Sequence, residues 1–245
     1  MKQYRKKGFY ERIIKRAIDI ICSLLALLVF GWLYIIVAIL VKTKLGSPVL
    51  FKQIRPGIID NKTGEEKLFT LYKFRTMTDE KDENGKFLPD EIRLTKFGKM
   101  LRATSLDELP EVFNILNGTM TIIGPRPQLV RDMVFMDDKQ RLRHTARPGL
   151  SGLAQISGRN GITWENKFKY DLEYISKISF PEDVKIVFMT VMKAFIKKEG
   201  ITEEGYATAA DYGDYLLKTG KVSQDEYDKK QEIALELLRN YKNNN

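Results

Sequence analysis

Residues Ile20 to Val41, IICSLLALLVFGWLYIIVAILV, contain no charged side chain in 22 positions. As a helix this run is about 33 Å long at ~1.5 Å per residue, enough to cross a hydrocarbon layer of roughly 30 Å. A core helix of a soluble domain is rarely so long and so uniformly apolar. A cleaved leader fits poorly, because the run is too long and lacks a small-residue cleavage pattern. The only cysteine, Cys22, lies inside the run, so no disulfide can form within the chain and nothing points to an oxidising compartment.

Charge is gathered around this segment. Of 41 basic and 32 acidic residues, eleven basic and two acidic ones fall in residues 1–59. That part alone carries the chain's net +9, and residues 60–245 are close to neutral. A nucleic-acid binder places its basic face on the folded domain, so no nucleic-acid partner is expected. Lys2 to Arg16 precede the run; Lys42, Lys44, Lys52 and Arg55 follow it. A straight crossing would translocate one of these clusters, whereas a re-entrant hairpin would translocate neither. Gly31 is the only Gly or Pro in the run and is the expected bend.

The pattern predicts an α+β, mostly helical chain in three parts. Residues 1–45 form a re-entrant membrane anchor. Residues 46–200 form a compact catalytic domain with a few short strands and interfacial helices. Residues 201–245 form a helical tail of different composition, suited to homo-oligomerisation. Within the middle part, residues 66–77 alternate Leu68, Thr70, Tyr72, Phe74 and Thr76 on one face and read as a strand. Residues 95–118 read as two short helices broken at Thr104–Ser105. Residues 132–144 look helical, and residues 144–161 read as a long Gly-rich loop. Residues 164–179 form an amphipathic helix. The helix beginning at Pro181 is apolar enough for either the core or a membrane surface. In the tail, Ser223 and Glu226 make a capping box ahead of Ile233, Leu235, Leu237 and Leu238.

The stretch TSLDELPEVFNIL, residues 104–116, sets Asp107 beside Glu108. Ser105 and Glu108 have capping-box spacing, and Leu109, Val112, Phe113 and Leu116 make an apolar stripe. Pro110 favours Asp107 as the N-cap, with its carboxylate aimed at free N–H groups and ionised. Capping and catalysis both fit this stretch alone. Around it stand cations: Arg126 between Pro125 and Pro127, Arg55 and Arg147 in R-P-G turns, and Lys73, Arg75 and Arg102. Guanidinium groups grip phosphates through paired donors, and adjacent carboxylates can hold a hard divalent ion. Together these suggest phosphoryl chemistry.

The ordered blocks Ile54-Arg55-Pro56-Gly57, YKFRTM, SLDEL, FNIL, IGPRP, RPG, GLAQ and GRN resemble the bacterial sugar transferase family of small monotopic phosphoglycosyl transferases. The resemblance runs from about residue 10 to 200 and is nearest to the short members, the N,N′-diacetylbacillosamine-1-phosphate transferase group. It implies transfer of a sugar-1-phosphate from a UDP-sugar to polyprenyl (undecaprenyl) phosphate, with release of UMP. This would be the first membrane step of glycan assembly at the cytoplasmic face of a bacterial plasma membrane. It further implies Asp107 and Glu108 as the catalytic dyad and as Mg²⁺ ligands, with Asp107 the nucleophile. Lys73, Arg102, Arg126, Pro127 and Asp171 would form the phosphate and substrate site, with Arg147 and Arg159 on the nucleotide side. Two blocks depart from the family pattern: Gly31-Trp32 stands where relatives carry Ser-Pro, and Leu153 stands where they carry Trp. His144, the only histidine, lacks metal-ligand partners of its type and is expected to be structural or phosphate-facing. A different class of protein, a membrane-anchored scaffold recruiting partners through its tail, is the alternative.

Overall fold

A computed structural model describes residues 5–158, 162–195 and 211–244. The apolar run lies in helix α1, Lys15–Leu45, entered through a wide helical turn at Tyr10–Ile14. The helix continues through Gly31, because glycine permits a bend but, unlike proline, does not force one. At this level Trp32 turns its indole N–H back to the Val29 carbonyl, at 2.9 Å.

Both ends of α1 are held by the same body. Near its start, Asp19 is buried and accepts from the Thr121 hydroxyl (2.8 Å) and the Ile122 amide (3.0 Å). Arg16 donates to the carbonyls of Ile115 and Leu116, at 2.5 and 2.7 Å, and Lys15 pairs with Asp183. Near its end, Tyr34 donates to the Leu109 carbonyl at 2.5 Å, and Val37, Val41 and Leu45 pack on Phe74 and Leu101. Between these anchorages the outer face is bare: Leu28 is 80% exposed, Trp32 60% and Ile35 64%.

Strands β1 (Leu50–Ile59) and β2 (Glu66–Phe74) form an antiparallel hairpin, Leu50 opposite Phe74, with a bulge between Pro56 and Ile59. On β2, Phe69 and Leu71 pack in the core with Ile115 and Met120, while Phe74 of the alternating series packs against α1 and Leu101. Leu68 and Ile54 are apolar for a second reason: they pack under the tail. After short α2 (Asp90–Arg93) come α3 (Lys96–Ala103) and α4 (Glu111–Leu116), with the expected break at Thr104–Ser105. A short parallel pair, β3 (Thr121–Ile123) and β4 (Gly149–Ser151), flanks α5 (Val130–Met133) and α6 (Asp138–Arg141). The segment read as a Gly-rich loop therefore contains β4 and α7 (Leu153–Gly158). Its glycines serve close packing: a Cβ on Gly149 would stand 2.1 Å from the Gly124 nitrogen.

Helix α8 (Trp164–Ser176) packs into the core through Tyr174 and Ile175. Helix α9 (Phe180–Phe195) buries Asp183 and Ile186 but leaves Phe180 (53%) and Phe188 (60%) outside. The tail supplies α10 (Tyr212–Lys218) and α11 (Gln224–Asn243), the latter capped by Ser223 Oγ on the Glu226 amide. Ala234, Leu237 and Leu238 face the body, packing against Val130, Met133 and Leu68, and Tyr241 OH lies 3.3 Å from Thr70 Oγ1. This i, i+3, i+4, i+7 face keeps Leu237 and Leu238 of the expected apolar side, whereas Ile233 and Leu235 are about half exposed.

Candidate active site

The dyad sits on a single 3-10 turn, Leu106–Glu108, between α3 and α4. Ser105 enters that turn at φ 55°, the left-handed region uncommon for a non-glycine residue, and its side chain caps nothing. The expected capping box and the Asp107 N-cap are thus absent. Pro110 is the residue that precedes α4, and Asp107 lies one turn upstream. Two contacts fix this turn on β2. Gly98 lets α3 press on the chain after β2, since a Cβ there would meet the Thr76 carbonyl oxygen at 1.8 Å. Asn114, 1% exposed, accepts from the Tyr72 amide (3.1 Å) and donates to the Thr70 carbonyl (2.7 Å), acting as a side-chain partner for the strand backbone.

The two acids are treated differently by this frame. Glu108 Oε1 accepts from Lys73 Nζ at 2.7 Å and from Arg126 Nη2 at 3.0 Å. Burial alone would raise its pKa, but Arg126 and Lys73 outweigh burial and hold it well below the usual carboxylate range. Asp107 is buried, and among the described residues its carboxylate makes no ion pair or hydrogen bond. Burial pushes its pKa up and the charge of Glu108 adds to that; Lys73, Arg102 and Arg126 pull the other way. The expected stabilisation of the Asp107 carboxylate by helix N–H groups is therefore replaced by three nearby cations. Arg102 donates to Thr76 Oγ1 at 3.1 Å and interacts electrostatically with Asp107.

Glu111, which sequence reasoning passed over, completes the cluster. It is 3% exposed, lies 3.2 Å from Lys73 Nζ, and its pKa is raised by burial and by Glu108. Its signal was its place one helical turn from the dyad, three residues after Glu108.

Asp171 stands behind the site. It is buried and accepts from Arg143 Nε (2.9 Å) and Nη2 (2.7 Å); Arg143 Nη2 also donates to the Arg126 carbonyl at 2.6 Å. Arg55 Nη1 donates to the next carbonyl, Pro127 O, at 3.2 Å. Two buried guanidiniums therefore hold the backbone that presents Arg126. Arg147 is elsewhere, lining a cavity of about 220 Å³ with Lys7, Arg12, Lys15 and Tyr174. Arg159 lies outside the described residues. His144 is buried with Nδ1 at 2.9 Å from Glu66 Oε1, so its role is structural. Asp171→Ala would leave the Arg143 guanidinium buried without a counter-charge. It is expected to cost about 3–5 kcal/mol of stability, measured as a shift in denaturant midpoint.

Comparisons with known proteins identify the family. The family model described as bacterial sugar transferase matches residues 10–197. An uncharacterized sugar transferase, EpsL, of Bacillus subtilis is 45% identical over 197 residues, covering 80% of this chain and 94% of EpsL. The UDP-glucose:undecaprenyl-phosphate glucose-1-phosphate transferase of Klebsiella pneumoniae is 41% identical over 196 residues, 76% of this chain and 41% of that longer protein. A UDP-N-acetylgalactosamine-undecaprenyl-phosphate N-acetylgalactosaminephosphotransferase of Aeromonas hydrophila is 36% identical over 189 residues, 73% of this chain and 43% of its own length. The chain belongs to the bacterial sugar transferase family.

Proposed function

We propose that this protein transfers a sugar-1-phosphate from a UDP-sugar to polyprenyl phosphate, releasing UMP, at the cytoplasmic face of a bacterial plasma membrane. The observation that carries the reading is the asymmetry of the dyad. Glu108 is pinned by two cations, while Asp107 beside it has an uncommitted carboxylate facing three. In the first step an Asp107 oxygen attacks the β-phosphorus, the bond from that phosphorus to the α–β bridging oxygen breaks, and UMP departs with the electron pair. The product is a phosphosugar ester of Asp107. An oxygen of polyprenyl phosphate then attacks the same phosphorus and the Asp107 carboxylate leaves, giving polyprenyl diphosphate sugar. A carboxylate nucleophile thereby divides one transfer between anions into two steps.

The residues suit a divalent ion. Lys73 and Arg126 both bond the same oxygen of Glu108, and Asp107 has no donor among the described residues, so hard oxygen ligands are on offer. Mg²⁺ held by Asp107 and Glu108 would supply neutralisation of the diphosphate charge. Lys73, Arg102 and Arg126 bind and orient the phosphates, and Arg126 is about half exposed.

Membrane attachment is read as one-sided. Arg16 and Tyr34, about 27 Å apart along a straight helix at ~1.5 Å per residue, both bond the α4 segment, at Ile115–Leu116 and at Leu109. Ends held on one body favour an apolar segment that enters and leaves the same leaflet. The exposed apolar side of α9 supplies a second contact with lipid.

In detergent or nanodiscs, UMP release from a panel of UDP-sugars with polyprenyl phosphate and Mg²⁺ should identify a donor. Asp107→Asn should lower turnover by at least ~10³-fold; near-normal release by a folded variant would sink the nucleophile assignment. Because burial lifts the Asp107 pKa and the ionised form attacks, the rate should rise with pH through a value above the ordinary aspartate range. An acid limb at or below that range would contradict it. Single cysteines at Lys6 and Lys52, in a Cys22→Ser background, should react with an impermeant maleimide from the same membrane face. Reaction from opposite faces would refute the one-sided topology.

A further inference from the structure

At the far end of the β1–β2 hairpin from the dyad lies a cavity of about 810 Å³ between the N-terminal basic segment and the hairpin turn. Its walls include Arg5, Lys6, Lys7 and Arg12 on one side and Lys62 and Thr63 on the other. It adjoins the smaller cavity lined by Arg147, with Lys7 and Arg12 common to both. Lys73 lies seven residues along β2 from Glu66, ~23 Å at ~3.3 Å per residue, so this cleft is separate from the dyad.

The cleft has more positive charge than the described residues pair with carboxylates. Arg5 pairs with Glu11 at 2.7 Å. Among the described residues, Lys6, Lys7, Arg12 and Arg147 make no ion pair. Burial, with Arg147 and Arg5 close by, pulls the Lys7 ammonium below its usual range in spite of Glu11. Like charges gathered in a concave site are stable when an anion joins them. Beside them Phe9 (68%), Ile13 (55%) and Ile14 (41%) project outward just ahead of the apolar helix. A ligand here would meet cations and a lipid-facing edge together.

We propose that this cleft is a second anion site, which binds the phosphate of a membrane lipid headgroup separately from the reaction. Basic residues at such a position attract anionic phosphate groups, and the neighbouring Phe9 and Ile13 suit the acyl side of a lipid. The site takes a phosphate-bearing anion; an anionic phospholipid and free phosphate share that chemistry and are separated by the test.

The full chain in uncharged detergent is titrated with a short-chain phosphatidylglycerol, with the matching phosphatidylcholine and with inorganic phosphate. Saturable phosphatidylglycerol binding is expected, and Lys7→Gln with Arg12→Gln should weaken it about thirtyfold, roughly fivefold per basic residue. Lys42→Gln with Lys44→Gln, which removes equal charge at the other flank of α1, should leave it unchanged. UMP release in detergent should be retained by both pairs, which separates this site from the catalytic reading. Should the first pair fail to fold, Lys6→Gln with Lys62→Gln probes both walls. Binding of inorganic phosphate as tight as that of the lipid would assign the site to the free anion. Absence of saturable binding, equal binding of phosphatidylcholine, or equal losses in the two flank pairs would overturn the proposal.

Discussion

Glu108 Oε1 receives Lys73 from β2 and Arg126 from the loop after β3, and that three-way contact sets the geometry of everything near it. The partners are 35 and 18 residues away in sequence, so neither distance is enforced locally. A carboxylate this well enclosed would be costly to bury alone, and removing either cation would leave charge uncompensated. Asp107 inherits its position from this contact. It shares the 3-10 turn but makes none of the bonds, so it is held in place through the backbone while its oxygens stay uncommitted. A nucleophile needs that combination of fixed position and unoccupied lone pairs.

The contact is sustained from behind on each side. On the strand side, Asn114 bonds the backbone of β2 on either flank of Leu71, tying α4 to the strand that carries Lys73. The outer side of the same hairpin is covered by Ala234, Leu237 and Leu238 of the tail, a region beyond the 10–197 span of the family model. On the loop side, Arg143 and Arg55 take successive carbonyls of Arg126 and Pro127. The loop is further joined to the tail, because Asp132 accepts the Tyr212 amide at 2.7 Å and Arg131 pairs with Asp211 and Asp214. The tail therefore acts on its own chain as packing behind the site.

Much of this was legible in the sequence. The apolar helix, the break at Thr104–Ser105 and the hairpin strand announce themselves by pattern, whereas Asp107 and Glu108 are singled out as a dyad only by the family resemblance. The failures have identifiable causes. Alternation could not choose the core face of β2, because Phe69 and Leu71 pack under α4 while Leu68 packs under the tail, and both faces are apolar. Glycines in residues 144–161 signal flexibility when read alone, but Gly149 and Gly152 are small because Gly124 lies against them. Ser105 and Glu108 have the spacing of a capping box, yet a left-handed Ser105 and two competing cations redirect both side chains. Asp171 enters the expected site only through the family resemblance, and its bond to Arg143 spans 28 residues, which no local pattern encodes.

In the proposed function a soluble donor and a lipid acceptor meet at one aspartate. Helix α4 follows the dyad directly, and it turns Val112 and Ile115 inward while Phe113, 47% exposed, looks outward beside Tyr34 of the anchor helix. The centroid distance between those rings is 6.2 Å, so the apolar exterior of α1 continues onto α4, six residues along the chain from Asp107. The cations come from other elements, Lys73 from β2 and Arg126, which is open to solvent, from the loop after β3. In the proposed reaction, Asp107 would draw its phosphate contacts from these cations and its lipid contacts from the apolar surface of α1 and α4. For a headgroup phosphate to reach it, the acceptor's hydrocarbon chain need not leave the apolar layer, which removes the largest desolvation cost of such a transfer.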